Sequence, residues 1–380
     1  MKRIYFDNAA STPLHPEVVT AMTDAMDSFF GNPSSIHAFG RESKSIIENS
    51  RKMIAHTLNC QSNEIIFTSG GTEANNLIIR SFVENLGIQR IITQPLEHKS
   101  VLETCLEMAK KHQVVLEMLP VNHQGNINIS DLEKTLENSS LKTLVTLIHG
   151  NNEIGNLIDL QKITLICHQY NAYFHSDTVQ TIGHYLFDIT TLNIDAMSCA
   201  AHKFHGPKGN GFAFIKKSLG LKPILTGGGQ ERSMRSGTEN IYGIAGMSKA
   251  FQMAYQNLES YRTKLVELKQ YCIEKLKKNI DNVAFAGLSD NNNSLYTLVN
   301  AGIPVKNSML SFELDLKNIA VSQGSACNSG ATKLSHVLAS VLTDEQKETY
   351  TFIRISFSIY NTFEEIDILV NELKNIVSRN

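Results

Sequence analysis

The sequence predicts an α/β protein: a large domain on a mostly parallel sheet flanked by helices, and a smaller α+β domain. Three observations carry this. From about residue 16 to 256, short β-rich runs alternate with segments of helical period, the pattern of a sheet covered on both faces. Beyond residue 256 the alternation stops, and Leu258, Tyr261, Leu265, Leu268, Cys272 and Leu276 mark one long amphipathic helix. Shorter strands, a turn at Asn291-Asn292-Asn293 and a last helix then follow. Residues 16–256 are therefore assigned to the large domain, and 1–15 with 257–380 to the small one.

Taken in order, Glu64–Thr68 reads as a strand that runs through Ser69-Gly70-Gly71-Thr72 into a helix ending near Asn85. Arg90–Thr93 is the next strand and Lys99–Lys111 the next helix. Val114–Met118 and Thr143–Ile148 follow as strands, then a helix over Leu160–Tyr170. Tyr173–Ser176, Ala196–Cys199 and Phe212–Ile215 complete the strand set. The final helix opens on a capping box, Thr362 with Glu365, ahead of Ile366, Leu369, Val370, Leu373 and Ile376.

Composition narrows the class. The 380 residues are 42% hydrophobic and 19% charged, enough for two cores and too apolar for a disordered chain. With 35 basic and 37 acidic side chains the net charge is −2, so no basic field favours stable nucleic-acid binding. No apolar run reaches membrane-spanning length, and the opening Met1–Asp7 turns polar before a signal-peptide core can form. The six cysteines (60, 105, 167, 199, 272 and 327) include no C-x-x-C pair, which removes the usual zinc and redox motifs. Sparse thiols in a long chain indicate a reducing, cytoplasmic setting. Five of them lie beside apolar neighbours, in helical or strand patterns, as packing residues. Cys327 sits in the small, polar run Val321–Thr332, which reads as a mobile loop and sets this thiol apart.

In doubly wound sheets ligands bind beyond the carboxyl ends of strands, and chemistry-bearing residues recur there. Ser69-Gly70-Gly71-Thr72 is either an anion cradle at a helix start or a plain strand-to-helix turn; it fits neither GxGxxG nor GxxxxGK[ST]. Asp177 at a strand end either pairs with a protonated ring nitrogen or caps a turn. Lys203, between an apolar strand and the turn through Gly206-Pro207, is either a desolvated nucleophile or a loop lysine. His202 and His205 lack a third ligand nearby in sequence, so no metal is expected. Arg354 lies inside an apolar strand and needs a carboxylate, from the protein or from a substrate. Together, an aspartate and a lysine on neighbouring strands plus a glycine turn match the three anchors of pyridoxal 5'-phosphate: ring nitrogen, aldehyde and phosphate.

Ordered matches along nearly the whole chain resemble the cysteine desulfurases of the IscS/NifS branch, within the class V aminotransferase-like, fold-type I pyridoxal-phosphate enzymes. They are Phe6–Pro13, Gly31–Ser35, Phe67–Asn76, Glu97-His98-Lys99, Asn151–Gly155, Ala201-His202-Lys203, Arg235–Thr238 and Gly324-Ser325-Ala326-Cys327. The resemblance implies that Lys203 holds the cofactor covalently and moves protons. It implies that Asp177 pairs with the ring nitrogen, Gln180 with the ring's phenolic oxygen, and that His98 stacks on the ring. Gly71, Thr72 and His202 would serve the phosphate, joined by Thr238 from the partner subunit of a homodimer. Asn152 and Arg354 would hold the substrate carboxylate, and Cys327 would accept sulfur as a persulfide. L-cysteine would yield L-alanine, with sulfur passed transiently to an iron–sulfur scaffold, tRNA thiolation or another acceptor protein. The alternative within the same chemistry is a selenocysteine lyase or a class V transaminase.

Two positions depart from the family pattern. Ala200 stands where a phosphate-binding serine is usual, a loss of about 0.5–1.5 kcal/mol, or about tenfold in cofactor affinity. Gln323 replaces a small residue. The chain also ends soon after its last helix, where longer relatives carry a tail used in docking a scaffold.

Overall fold

The computed structural model describes residues 3–326 and 332–379. Its centre is a seven-stranded sheet formed by β2 (Ile65–Thr68), β3 (Arg90–Thr93), β4 (Val115–Met118), β5 (Thr143–Thr146), β6 (Tyr173–Asp177), β7 (Ala196–Ala200) and β8 (Gly211–Ile215), after a short β1 (Ile4–Tyr5) outside it. The spatial order is β2-β8-β7-β6-β5-β3-β4. Only β8 runs against the rest, antiparallel to both β7 and β2. All residues of β2, β3, β5, β7 and β8 are buried, as apolar runs covered by helices on both faces require. Edge strand β4 is the exception, with Val115 and Met118 exposed.

Six of the seven strands are parallel, so the segments leaving β2, β3, β5, β6 and β7 emerge on one edge. The helix Gly71–Leu86 follows β2, Lys99–His112 follows β3 and Leu160–Gln169 follows β5. Two helices that strand patterning had not marked, Pro16–Ser28 and Ala38–Thr57, precede the sheet. Several expected strand limits move by one or two residues; β5 ends at Thr146, because beyond it the chain turns and the His149 N–H donates to the Asp177 carbonyl.

One apolar core joins residues between Val18 and Ala254; a second joins Ile4 and Phe6 to residues between Leu265 and Ile376. Around the second lie β9 (Ala284–Phe285), β10 (Leu298–Ile303), β11 (Ile319–Ala320) and β14 (Thr351–Ser356), while β12 (Ser325–Ala326) and β13 (Thr332–Lys333) form a separate two-stranded sheet. The order β14-β10-β9 is antiparallel, and β1 pairs with β11 in parallel, tying the first residues to this core. The helix Leu258–Asn279 buries Leu265, Leu268, Cys272 and Leu276 there, each leucine worth about 1.5–3 kcal/mol of transfer free energy. The Thr362–Glu365 capping box forms, and Ile366, Leu369, Val370, Leu373 and Ile376 are all buried behind it.

Five cysteines are free thiols; 105, 167, 199 and 272 are buried. Cys60 is the correction: it lies in a bend after the Ala38–Thr57 helix, not in a helix or strand, and packs half-buried against the large core. Cys327 falls outside the described residues. Before it, β12 pairs antiparallel with β13.

Candidate active site

At the carboxyl edge of the sheet lies an open-mouthed cavity of about 900 Å³. Its walls include Gly71 and Thr72 after β2, His98 after β3, Asn152 after β5, Asp177 and Gln180 from β6 onward, and His202 and Lys203 after β7. Arg354 enters from β14, and Ala9 and Ala10 from the start of the chain.

The glycine turn is built for close approach. Gly70 has φ +146°, and a Cβ on Gly71 would lie 2.5 Å from Cγ2 of Val179. The helix start is thereby pressed against the segment that follows Asp177, and its first N–H groups have no intrahelical acceptor. Nearby, Nδ1 of His202 is buried without a hydrogen-bond partner among the described residues. Burial, then the charges of Lys203 and Lys208, push that imidazole down to about 4. Ala200 is buried in the same wall and offers no hydroxyl.

Asp177 ends β6 with 3% exposure. Its carboxylate accepts from Asn75 Nδ2 at 2.8 Å and from the Val179 N–H at 3.0 Å. Lys203 ends a single 3₁₀ turn after β7. Its Nζ donates to the carbonyls of Ala9 (2.6 Å) and Ala10 (2.9 Å), and burial, helped by Arg354, lowers it to about 8. Thr12 clamps this turn: its N–H and Oγ1 donate to the His202 carbonyl, and Oγ1 accepts from the His205 N–H. Gln180 turns its amide N–H onto the Ala9 carbonyl at 3.0 Å.

His98 caps the helix Lys99–His112, its Nδ1 accepting from the Ser100 N–H at 3.1 Å. The preceding Glu97 is fully buried, and burial raises its carboxyl to about 8. Arg354 donates to Asp7 Oδ1 at 2.9 Å and to the Asn152 carbonyl at 2.8 Å. Its Nε is buried without a partner among the described residues. Thr238 is exposed and does not line this cavity. It follows a segment in which Glu231, Arg232 and Ser233 all have positive φ.

A carboxylate, a desolvated amine and a glycine-lined helix start thus share one cavity with an unpartnered imidazole nitrogen. This donor set fits pyridoxal phosphate: Asp177 for the ring nitrogen, Lys203 for the aldehyde carbon, Gly71, Thr72 and His202 for the phosphate. Residue type and position alone assign no role to Asn75, Ser100, Ala9 or Ala10. Asn75 lies three residues after Thr72 on one helix face, a spacing that could have drawn attention to it. The two carbonyls carry no side-chain signal.

The chain belongs to the aminotransferase class-V family, whose sequence signature matches residues 4–369, and it has the fold-type I architecture of pyridoxal-phosphate enzymes. Within that family it belongs with the cysteine desulfurases of the IscS/NifS branch. It is 39% identical to cysteine desulfurase IscS of Dictyoglomus turgidum, over all of this chain and 96% of that protein. It is 37% identical to putative cysteine desulfurase IscS 1 of Bacillus subtilis, over the full length of both. Among solved structures, a NifS-like protein superposes with a TM-score of 0.90 at 32% identity, both chains fully covered. SspA in complex with cysteine gives 0.79 at 29% identity, covering 95% of this chain and all of that one.

Proposed function

We propose that this protein is a pyridoxal-phosphate-dependent cysteine desulfurase that converts L-cysteine to L-alanine and carries the sulfur as a persulfide on Cys327. The observation that carries the reading is the convergence of Asp177, Lys203, the Gly71–Thr72 helix start and Arg354 on one cavity. Pyridoxal phosphate, when bound, supplies an electron sink that acidifies the substrate's Cα–H and loosens its Cβ–S bond.

The chain's own groups do the rest. Arg354 and Asn152, which both line the cavity, hold the substrate carboxylate. Lys203 Nζ, lowered to about 8, is partly neutral near pH 7, so it accepts the α-proton and returns a proton to substrate carbon. His98 holds its ring proton on Nε2, because Nδ1 accepts from Ser100. The Cys327 thiolate attacks the substrate sulfur: the Cβ–S bond breaks, an S–S bond forms, and Cβ takes up a proton. Cysteine and thiol thus become alanine and persulfide with no external oxidant.

Residues 16–256 would act as the cofactor domain, with 1–15 and 257–380 as the domain carrying Cys327, in accord with the two cores. We assign a homodimer, in which Thr238 reaches the partner's phosphate site. Supporting this are Phe30, Ile36 and Phe39, 70%, 90% and 53% exposed, with the two phenyl rings 5.1 Å apart, an apolar surface suited to a second copy. Free thiols suit a cytoplasmic enzyme, and the sulfur acceptor would be an iron–sulfur scaffold or a tRNA-thiolating partner.

The test is alanine formation by the holoenzyme given L-cysteine and a reductant. Alanine and sulfide in equal amounts, abolished by Lys203→Ala, are expected. Activity on selenocysteine with none on cysteine would move the assignment to a selenocysteine lyase.

A further inference from the structure

We infer that Asn75 is a positioning residue that sets two cofactor-facing groups at once, Asp177 and His98. The inference rests on the pyridoxal-phosphate reading of the site. Asn75 is 1% exposed, on the helix that opens at Gly71, and it borders the cavity. Its Nδ2 donates to Asp177 Oδ2 at 2.8 Å and to Ser100 Oγ at 2.9 Å. An ionised carboxylate only accepts, so the amide nitrogen must face Asp177 and its orientation has one solution.

The two hydrogens of that amide are then spent on two arms. Along the first, Asp177 receives Asn75 on one oxygen and the Val179 N–H on the other, at 3.0 Å. That fixes the carboxylate plane and leaves lone pairs on both oxygens for a further donor, the role a protonated ring nitrogen would fill. Along the second, Ser100 Oγ has taken the Asn75 N–H and directs its own hydrogen to His98 Nδ1, 2.8 Å away. The Ser100 backbone N–H meets the same nitrogen. Asn75 therefore supports both the Asp177 orientation and the His98 tautomer.

Packing alone does not call for an asparagine here. Leucine has nearly the same shape and no polar group to bury, whereas the Asn75 Oδ1 is buried with no partner among the described residues. The position tolerates an unpaired oxygen in order to hold both N–H bonds.

The experiment compares holoenzyme with Asn75→Ala and Ser100→Ala, reading the visible circular dichroism per bound cofactor and the pyridoxal-phosphate dissociation constant. Asn75→Ala should lose about half the dichroism or more and bind cofactor about tenfold more weakly, as loss of a hydrogen bond to a charged group implies. Ser100→Ala, which cuts only the His98 arm, should alter the dichroism with a smaller loss of affinity. Asp177→Asn separates the two claims. If it leaves band and affinity unchanged, the cofactor reading fails. If it changes both while Asn75→Ala matches the parent, the Asn75 inference is overturned. Should Asn75→Ala lack the parent's far-ultraviolet spectrum, Ser100→Ala decides alone, and a parent-like visible signal there overturns the inference.

Discussion

Lys203 and Gln180 donate to one acceptor, the carbonyl of Ala9, at 2.6 and 3.0 Å. A neutral carbonyl partly repays the desolvation of an ammonium group, and burial still dominates, bringing Lys203 to about 8. An amine must be neutral to attack an aldehyde. Cofactor uptake by the apoenzyme should therefore rise about tenfold per pH unit below 8 and level off above it. Stopped-flow absorbance over pH 6–10 measures this. A plateau reached only near 10.5, the ordinary lysine value, would contradict the desolvated site.

Arg354 already serves Asp7 and the Asn152 carbonyl, so its remaining donors are what a substrate carboxylate would meet. Arg354→Ala should raise KM for L-cysteine about 10–100-fold, matching loss of a charge-assisted contact of about 1.5–3 kcal/mol. Cofactor content should stay near that of the parent. Steady-state kinetics beside the visible spectrum separate the two effects.

Away from the cavity, Arg51 and Glu231 form a bidentate ion pair at 2.7 and 2.8 Å, both side chains 2% exposed. Glu231 also accepts the Phe67 N–H of β2 and has φ +46°. The pair holds a strained turn whose chain continues to Thr238. Glu231→Ala leaves Arg51 buried with Glu48 as its remaining carboxylate among the described residues, and should cost about 3–5 kcal/mol by denaturant unfolding. If Thr238 serves the partner's site, the same variant should also release cofactor more readily.

Much of this site was legible because chemistry-bearing residue types stand at strand ends. Asp177 closes β6 and Lys203 follows β7, as the spacing implied. What sequence could not show were groups with no side-chain signature or partners distant along the chain. Ala9 offers only a carbonyl, and Asp7 meets Arg354 across 347 positions. The antiparallel β8 was equally hidden, since its apolar run carries no direction. Gln323, unexplained in the sequence, now has a local role. Its Oε1 accepts the Ser311 N–H at 2.8 Å, and its Nε2 donates to the Asn307 and Ser308 carbonyls at 3.3 Å. It fastens the chain entering β12 to the helix Leu310–Leu316, a contact a small residue could not make.

The most direct measurement is the mass of the Cys327 peptide after the holoenzyme meets L-cysteine without reductant. A gain of one sulfur atom on that residue is expected, absent in Lys203→Ala and accompanied by alanine. Full alanine production by Cys327→Ser, or sulfur carried on another cysteine instead, would contradict the assignment.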